Sequence, residues 1–247
     1  MEKSEMIFGM RAVIEAIEAG KEIDKILVKR DLQSDLSKEL FDVLRGKGIV
    51  VQRVPVEKIN RITMKNHQGV LAFLSAITYE RLENIIPMLY EEGKTPFIVV
   101  LDGITDVRNF GAIARTCECA GVDAIVIPER GSVSVGGDAV KTSAGALLHI
   151  PVCRERSITE ALQFLQNSGC KLVAATEKAQ NNYTKPDYKT TPIALVMGAE
   201  DTGVAREHLS FCEEQVSIPQ LGTIASLNVS VAAGILIYEV VRQRENF

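Results

Sequence analysis

Apolar residues recur at helical spacing from Met10 to Ala19 and stop at Gly20, a residue that readily ends helices. Lys25 to Lys29 follows as a short β-like run. Leu36 to Leu44 is a second amphipathic helix, with Leu36, Leu40, Phe41, Val43 and Leu44 largely on one side, closed by Gly46 and Gly48. Ile49 to Val54 and Gly69 to Ala76 read as strands around a short helical piece near Glu57 to Ile62. Together these make an α/β unit of about the smallest size that folds alone.

Tyr79 to Pro96 is polar and charged apart from Ile85, Ile86 and Leu89, and it ends at Gly93 and Pro96, so a domain junction is expected near its start. The chain then divides into residues 1–78 and 79–247. Beyond Pro96 the strand candidates are Phe97 to Leu101, Ala124 to Ile127, Leu172 to Ala175, Ile193 to Met197 and Gln215 to Ile218. Helical patterns separate them, at Gly111 to Cys119, Ala139 to Leu147, Ile158 to Gln166, Val204 to Phe211 and Asn228 to Arg244. Strict alternation predicts a mostly parallel sheet covered on both faces, with ligands beyond the carboxyl ends of its strands.

Composition narrows the class without choosing a function. With 46% hydrophobic and 24% charged residues the chain reads as an ordinary globular protein. Its longest apolar stretches, Phe97 to Leu101 and Val229 to Val241, are too short or too interrupted by Glu239 for a membrane span. The N-terminal residues lack the pattern of a secretory signal, so a cytoplasmic location is expected. Cys117, Cys119, Cys153, Cys170 and Cys212 form no CxxC pair and read as small buried residues in a reducing compartment. Cys117 and Cys119 would point about 200° apart on a helix, which argues against a shared metal. The net charge of −4 gives no hint of a phosphate-binding protein, although residues 1–78 carry 13 Lys/Arg against 11 Asp/Glu and the remainder 15 against 21.

A parallel sheet invites a nucleotide-binding reading, but its motifs fail. Gly131 to Gly137 is no Walker A loop, because Gly137 stands where Lys is needed and Lys141-Thr142 comes too late. Asp102-Gly103-Ile104-Thr105-Asp106 follows the first strand of the second half in place of GxGxxG. His67, His149 and His208 have no Cys or Asp partner at a catalytic spacing and read as structural.

Three polar segments remain where loops leave strand ends. In the first, Leu101 to Thr116, Asn109 falls just before a helix and can cap its free N–H groups, while Arg115 lies one and two-thirds turns further on. An arginine in the small apolar run Gly-Ala-Ile-Ala-Arg-Thr-Cys is costly to bury without an anionic partner. In the second, Ala194 to Gly203, a strand ends in Gly198 and Glu200 lies beyond it, either as an acid at a helix N-terminus or as a site residue. The third, Ser217 to Ile235, is a loop of small residues running into a long helix, with Ser226 and Asn228 at its start as caps or as functional groups.

These three segments, in this order, resemble the signature motifs of the SpoU/TrmH class of RNA 2′-O-methyltransferases. Phe8-Gly9-Met10-Arg11-Ala12-Val13 and His67-Gln68-Gly69-Val70 resemble the substrate-binding domain of the RlmB-like branch, and Lys141-Thr142-Ser143-Ala144-Gly145-Ala146 adds a further family-like run. The third motif, Ser-Leu-Asn-Val-Ser-Val-Ala-Ala-Gly, is the most specific. Val107 replaces the usual Pro and Cys117 the usual Ala, both beside the polar positions.

The resemblance implies a small N-terminal α/β domain, L30e-like, for RNA substrate, and a C-terminal SPOUT domain whose chain is threaded into a trefoil knot near Gly198 to Gly203 and Ser217 to Leu227. It implies an S-adenosylmethionine pocket formed by backbone of Gly198, Ile218 and Leu227 with Thr176 and Leu221 nearby, and no metal. A homodimer with the final helix in its interface, and a guanosine ribose of 23S rRNA as target, follow from the same resemblance. A tRNA target, or a non-catalytic RNA-binding assembly factor, are the alternatives it leaves.

The implied chemistry joins an already activated methyl group to a weakly acidic ribose hydroxyl. Alignment can supply about 7–11 kcal/mol, against about 3–5 kcal/mol for a general base, so positioning should dominate. By resemblance Arg115 and Asn109 address the nucleotide, while Glu200, Ser226 and Asn228 organise the pocket. A guanidinium stays protonated, so Arg115 is expected to bind a phosphate and stabilise alkoxide charge, with water or that phosphate taking the proton.

Overall fold

The computed structural model describes residues 6–245; the first five residues, where the reading for a secretory signal begins, lie outside the described residues. Two compact units are present. One comprises the described residues up to Thr78 together with Ser134–Val140, the other Tyr79–Val133 and the described residues from Lys141 on. Sequence periodicity gave no sign that Ser134–Val140 belongs with the first unit, where Ala76 N–H donates to the Val135 carbonyl (2.8 Å) and Lys25 Nζ to Ser134 Oγ (2.9 Å).

The first unit runs β1 (Met6–Phe8), α1 (Met10–Glu18), β2 (Ile23–Lys29), α2 (Asp35–Leu44), β3 (Val50–Val54), α3 (Val56–Ile62), β4 (Val70–Leu74). Its sheet has the order β1-β4-β2-β3, with β2 parallel to β3 and β4 antiparallel to both β1 and β2. Val13, Ile14 and Ile17, spaced to share one face of α1, pack with Leu40 of α2 on Ile26, Val28, Val70 and Ala72. Ser34 and Ser37 close the start of α2 as a reciprocal capping pair.

The second unit continues with α4 (Leu82–Glu91), β5 (Phe97–Asp102), α5 (Val107–Cys119), β6 (Ala124–Pro128) and α6 (Gly137–Thr142), whose last two residues it contains. Then come β7 (Val152–Glu155), α7 (Ile158–Asn167), β8 (Lys171–Ala175), β9 (Asn181–Asn182), β10 (Ile193–Gly198), α8 (Arg206–Leu209), β11 (Glu214–Ser217) and α9 (Val229–Glu245). Its seven-stranded sheet, β7-β6-β5-β10-β8-β11-β9, is parallel at every pairing. Even-numbered residues of the central strands, such as Ile98, Val100, Ala194 and Val196, face α4 and α7. The buried odd-numbered set, including Val99 and Leu195, faces the other way, where α9 packs against β10 and α5.

Three sequence expectations change. The segment taken as a polar junction contains α4, whose Leu82, Ile85, Ile86 and Leu89 form one buried stripe; Pro87 inside the helix disguises it. The helix expected over Ala139 to Leu147 breaks after Thr142, because Ala144 (φ 52°) and Gly145 (φ 90°) are left-handed, and a 3-10 turn at Ala146–Leu148 follows. The helix expected over Val204 to Phe211 is only α8. Among the described residues no helix is long and apolar enough to cross a membrane.

Candidate active site

Because the sheet is parallel, the loops after β5, β8, β10 and β11 leave from one edge. Gly198 ends β10 level with Asp102 at the end of β5, and Val216 of β11 lies beside Ala175 of β8. A cleft of ≈ 280 Å³ opens there, walled by Thr176 to Lys178 after β8, by Ala199 to Gly203 after β10 and by Ile218 and Ala225 to Leu227 after β11. Its lining combines apolar Met197, Leu227, Val229 and Leu236 with the polar groups of Thr176, Glu200 and Ser226. A second cleft of ≈ 410 Å³ shares Ala199, Glu200, Asp201 and Val229 with the first and is completed by Gly103 to Asp106 and Asn109.

Two glycines permit close backbone approaches around the site. A Cβ at Gly198 would fall on the Gly203 carbonyl carbon and the Val204 nitrogen, so only a residue without a side chain lets the chain return across the end of β10. Gly203 N–H donates back to the Ala199 carbonyl (2.8 Å), closing the loop that carries Glu200. A Cβ at Gly111 would strike Thr142, whose hydroxyl donates to the Val107 carbonyl (3.2 Å), so this glycine lets Thr142 sit against the first turns of α5.

Asn109, Glu200 and Asn228 are brought together. Asn109 Nδ2 donates to Glu200 Oε2 (3.2 Å), while Asn228 Nδ2 donates to Asn109 Oδ1 (3.0 Å) and to Glu200 Oε1 (3.3 Å). The helix-capping reading of Asn109 is corrected: Asp106 is the cap of α5, accepting from Arg108 and Asn109 N–H, and Asn109 stands one turn inside with its side chain free for the cluster. Asn228 does both, since its Oδ1 accepts from Ser230 N–H (2.9 Å) and Ser230 Oγ (2.6 Å) at the start of α9. Glu200 is not a helix-terminal acid; it sits in the turn after β10, well before α8.

The other expected residues divide. Thr176, Gly198, Ile218 and Leu227 line the smaller cleft with Ser226, whereas Leu221 is 99% exposed and outside its walls. Arg115 is exposed, about 9 Å along the helix axis from Asn109, and its guanidinium has no partner among the described residues, so the burial cost expected for it does not arise. Thr116, next to it, faces Gly234, so α5 and α9 run alongside each other from the Asn109–Asn228 contact onward.

Two features had no sequence signal. His208 is no isolated histidine: its Nδ1 lies 2.7 Å from Asp102 Oδ2, which also accepts Ala205 N–H (2.9 Å), tying the far end of the Glu200 loop to β5. The residues are 106 positions apart, a separation no local spacing rule reaches. Glu177 and Lys178 enter the cleft wall only because β8 lies beside β10. Cys119 is exposed and Cys212 half-buried, against the expectation that every cysteine is buried.

A family model described as "SpoU rRNA Methylase family" matches residues 96–238, and one described as "RNA 2'-O ribose methyltransferase substrate binding" matches residues 6–80. The chain is 34% identical over 239 residues to a Staphylococcus saprophyticus protein named for the TrmH family of tRNA/rRNA methyltransferases, covering 97% of this chain and 96% of the other. Among solved structures, the AdoMet-bound rRNA methyltransferase from Sinorhizobium meliloti is 27% identical with a TM-score of 0.61, covering 96% of this chain and 86% of that one. The A. aeolicus TrmH/SpoU tRNA modifying enzyme is 30% identical with a TM-score of 0.55, covering 67% of this chain and 85% of that one.

Proposed function

The chain belongs to the SpoU rRNA methylase family of RNA methyltransferases, and we propose that it methylates a ribose 2′-hydroxyl of RNA, a guanosine of 23S rRNA, using S-adenosylmethionine. The observation that carries this reading is the junction of Asn109, Glu200 and Asn228 at the rim of a cleft whose walls are strand ends. Three loops far apart in sequence are joined by side chains left accessible to a substrate.

The smaller cleft suits an amphiphilic cofactor. Ile218, Leu227 and Leu236 offer apolar surface to an adenine, and Thr176, Glu177, Lys178 and Ser226 offer groups for ribose hydroxyls and an amino-acid zwitterion. When bound, S-adenosylmethionine supplies a methyl group made electrophilic by its sulfonium. Gly198, Ile218 and Leu227 would hold it through their backbone, with Leu221 approaching from its exposed loop. Glu200 holds both asparagine amides in fixed orientation, so that Asn109 presents a set of hydrogen-bonding groups to the ribose. Arg115 binds the neighbouring phosphate and stabilises oxyanion charge, and the hydroxyl proton leaves to water or to that phosphate.

A homodimer built on α9 belongs to the same proposal, as does threading of the C-terminal chain through a trefoil knot. Val231 and Tyr238 of α9 are each 51% exposed, and Arg115 lines neither cleft, which a second subunit would remedy. An rRNA target is favoured over tRNA by the first unit: the substrate-binding model occupies residues 6–80, and the A. aeolicus tRNA enzyme aligns with only 67% of the chain. The test is single-turnover methyl transfer from labelled cofactor to total RNA, with digestion to nucleosides. Methyl on ribose is expected, with at least a tenfold slower rate for Arg115→Lys, which keeps the charge and loses the planar fork. Methyl on a base, or an unchanged Arg115→Lys rate, would refute the assignment.

A further inference from the structure

Arg115 is one member of a strip of cations. Seven residues of an α-helix turn through almost two full turns, so Arg108 and Arg115 project from the same face of α5, about 10 Å apart along its axis. Both are exposed, with Ala112 between them, and neither guanidinium has a hydrogen-bond or ion-pair partner among the described residues. Asp106 spends one carboxylate oxygen on the backbone of the first turn, and Glu118, exposed three residues beyond Arg115, makes no ion pair with it. Lys141, also exposed and unpaired among the described residues, precedes the Thr142 that packs on Gly111. The strip is therefore a positive exception in residues 79–247, where acids outnumber bases by 21 to 15.

We infer that this face of α5 tracks the sugar–phosphate backbone of the substrate RNA, with Arg108 and Lys141 holding phosphates beyond the one met by Arg115. The inference rests on the reading of the chain as an RNA methyltransferase and adds to it a second anchoring point. Two unpaired guanidinium groups on one helix face, with Lys141 one residue from the Thr142 that meets the same helix, match a strand bearing one negative charge per nucleotide, and they make no demand on base identity. The Asn109 side of the same helix is occupied by α9 and Glu200, so the strand is held on the adjacent open face. Arg108 is a positioning residue: it fixes the register of the strand and leaves the reacting hydroxyl to Asn109 and Arg115.

The test uses the full chain and two readouts. Binding of a 20-nucleotide oligouridylate is measured against salt concentration, and KM for total RNA and kcat are measured at saturating cofactor. Arg108→Gln is expected to weaken oligouridylate binding roughly 2- to 5-fold. It should also reduce the slope of log K against log salt by about 0.7, the release of one counterion from a single strand. The activity loss falls on KM for RNA rather than on kcat, and cofactor affinity stays at the wild-type value. Lys141→Gln gives a similar, additive change, and Arg108→Lys restores both slope and KM because a phosphate asks for charge. A wild-type slope in Arg108→Gln, or failure of lysine to rescue, overturns the inference while wild-type methylation still stands. If the wild-type chain methylates no RNA, it is the underlying reading that fails.

Discussion

Asn228 donates an amide hydrogen bond to Asn109 across 119 residues of sequence, and both side chains close on Glu200. One carboxylate thus orients two amides: that of Asn228 is fully engaged, while Asn109 keeps one N–H and one oxygen lone pair for a substrate. Asn109→Asp would place a second carboxylate against Glu200, where two like charges in contact favour protonation of one of them. Asn109→Ala is expected to slow single-turnover methylation on the order of 100-fold. Asn109→Asp should be slower than alanine at pH 8 and recover toward it as pH is lowered. An aspartate variant as fast as wild type at pH 8 would show that this cluster does not orient the substrate.

Gly198→Ala tests the cleft rather than the chemistry. Its Cβ would overlap the Gly203 carbonyl carbon and Val204 nitrogen, both backbone, so the crossing must shift. A loss of about 1–3 kcal/mol in unfolding free energy is expected, together with loss of S-adenosylmethionine binding by calorimetry. Wild-type cofactor affinity in a folded Gly198→Ala protein would place the cofactor elsewhere.

Most of this architecture was legible in the sequence, and the exceptions have physical causes. Apolar periodicity marked α1, α2, α5, α7 and α9, because each buries one stripe against a sheet. Alternation of strands and helices marked the parallel sheet, and in such a sheet the active loops must share an edge. Periodicity missed α4, which carries a proline, and β1, β7 and β9, which have four residues or fewer. It offered Asn109 as a possible cap because it did not weigh Asp106, three residues earlier, which satisfies the same rule and caps α5. The site residues themselves came from resemblance to a family. Only the pairings of strands, which no local spacing contains, put Glu177 and Lys178 beside them and joined His208 to Asp102.

Thiol reactivity should single out one cysteine. Burial pushes the thiols of Cys153 and Cys212 up to about 12 and that of Cys170 up to about 11, and it raises Cys117 further still. Cys119 is exposed on α5. Iodoacetamide at pH 8 is expected to label Cys119 first by mass spectrometry, with the other four reacting only on unfolding. Equal labelling of Cys117 and Cys119 would contradict the packing of α5.

The far end of α9 has a pH signature. Arg242 hydrogen-bonds the Glu239 carboxylate (2.7 and 2.8 Å) and Gln243 adds a third bond, together holding its pKa below the usual carboxylate value against the opposing effect of burial. A carboxylate whose pKa is lowered by folding stabilises the protein above its unfolded pKa and loses that contribution as pH falls through its folded pKa. Glu239→Gln should therefore melt below wild type at pH 7, with the gap closing below about pH 4.5. A gap that is constant from pH 7 to pH 3 would assign the effect to packing alone.

The fate of the methyl group in cellular RNA is the most direct test of ribose methylation by this chain. Ribose-methylation mapping of RNA from cells with and without the gene should reveal one 2′-O-methyl mark that disappears, at a guanosine of 23S rRNA. Wild-type protein should restore the mark and the Asn109→Ala and Arg115→Lys variants should fall short. An unchanged ribose-methylation map, with every site retained in the absence of the gene, would contradict that activity.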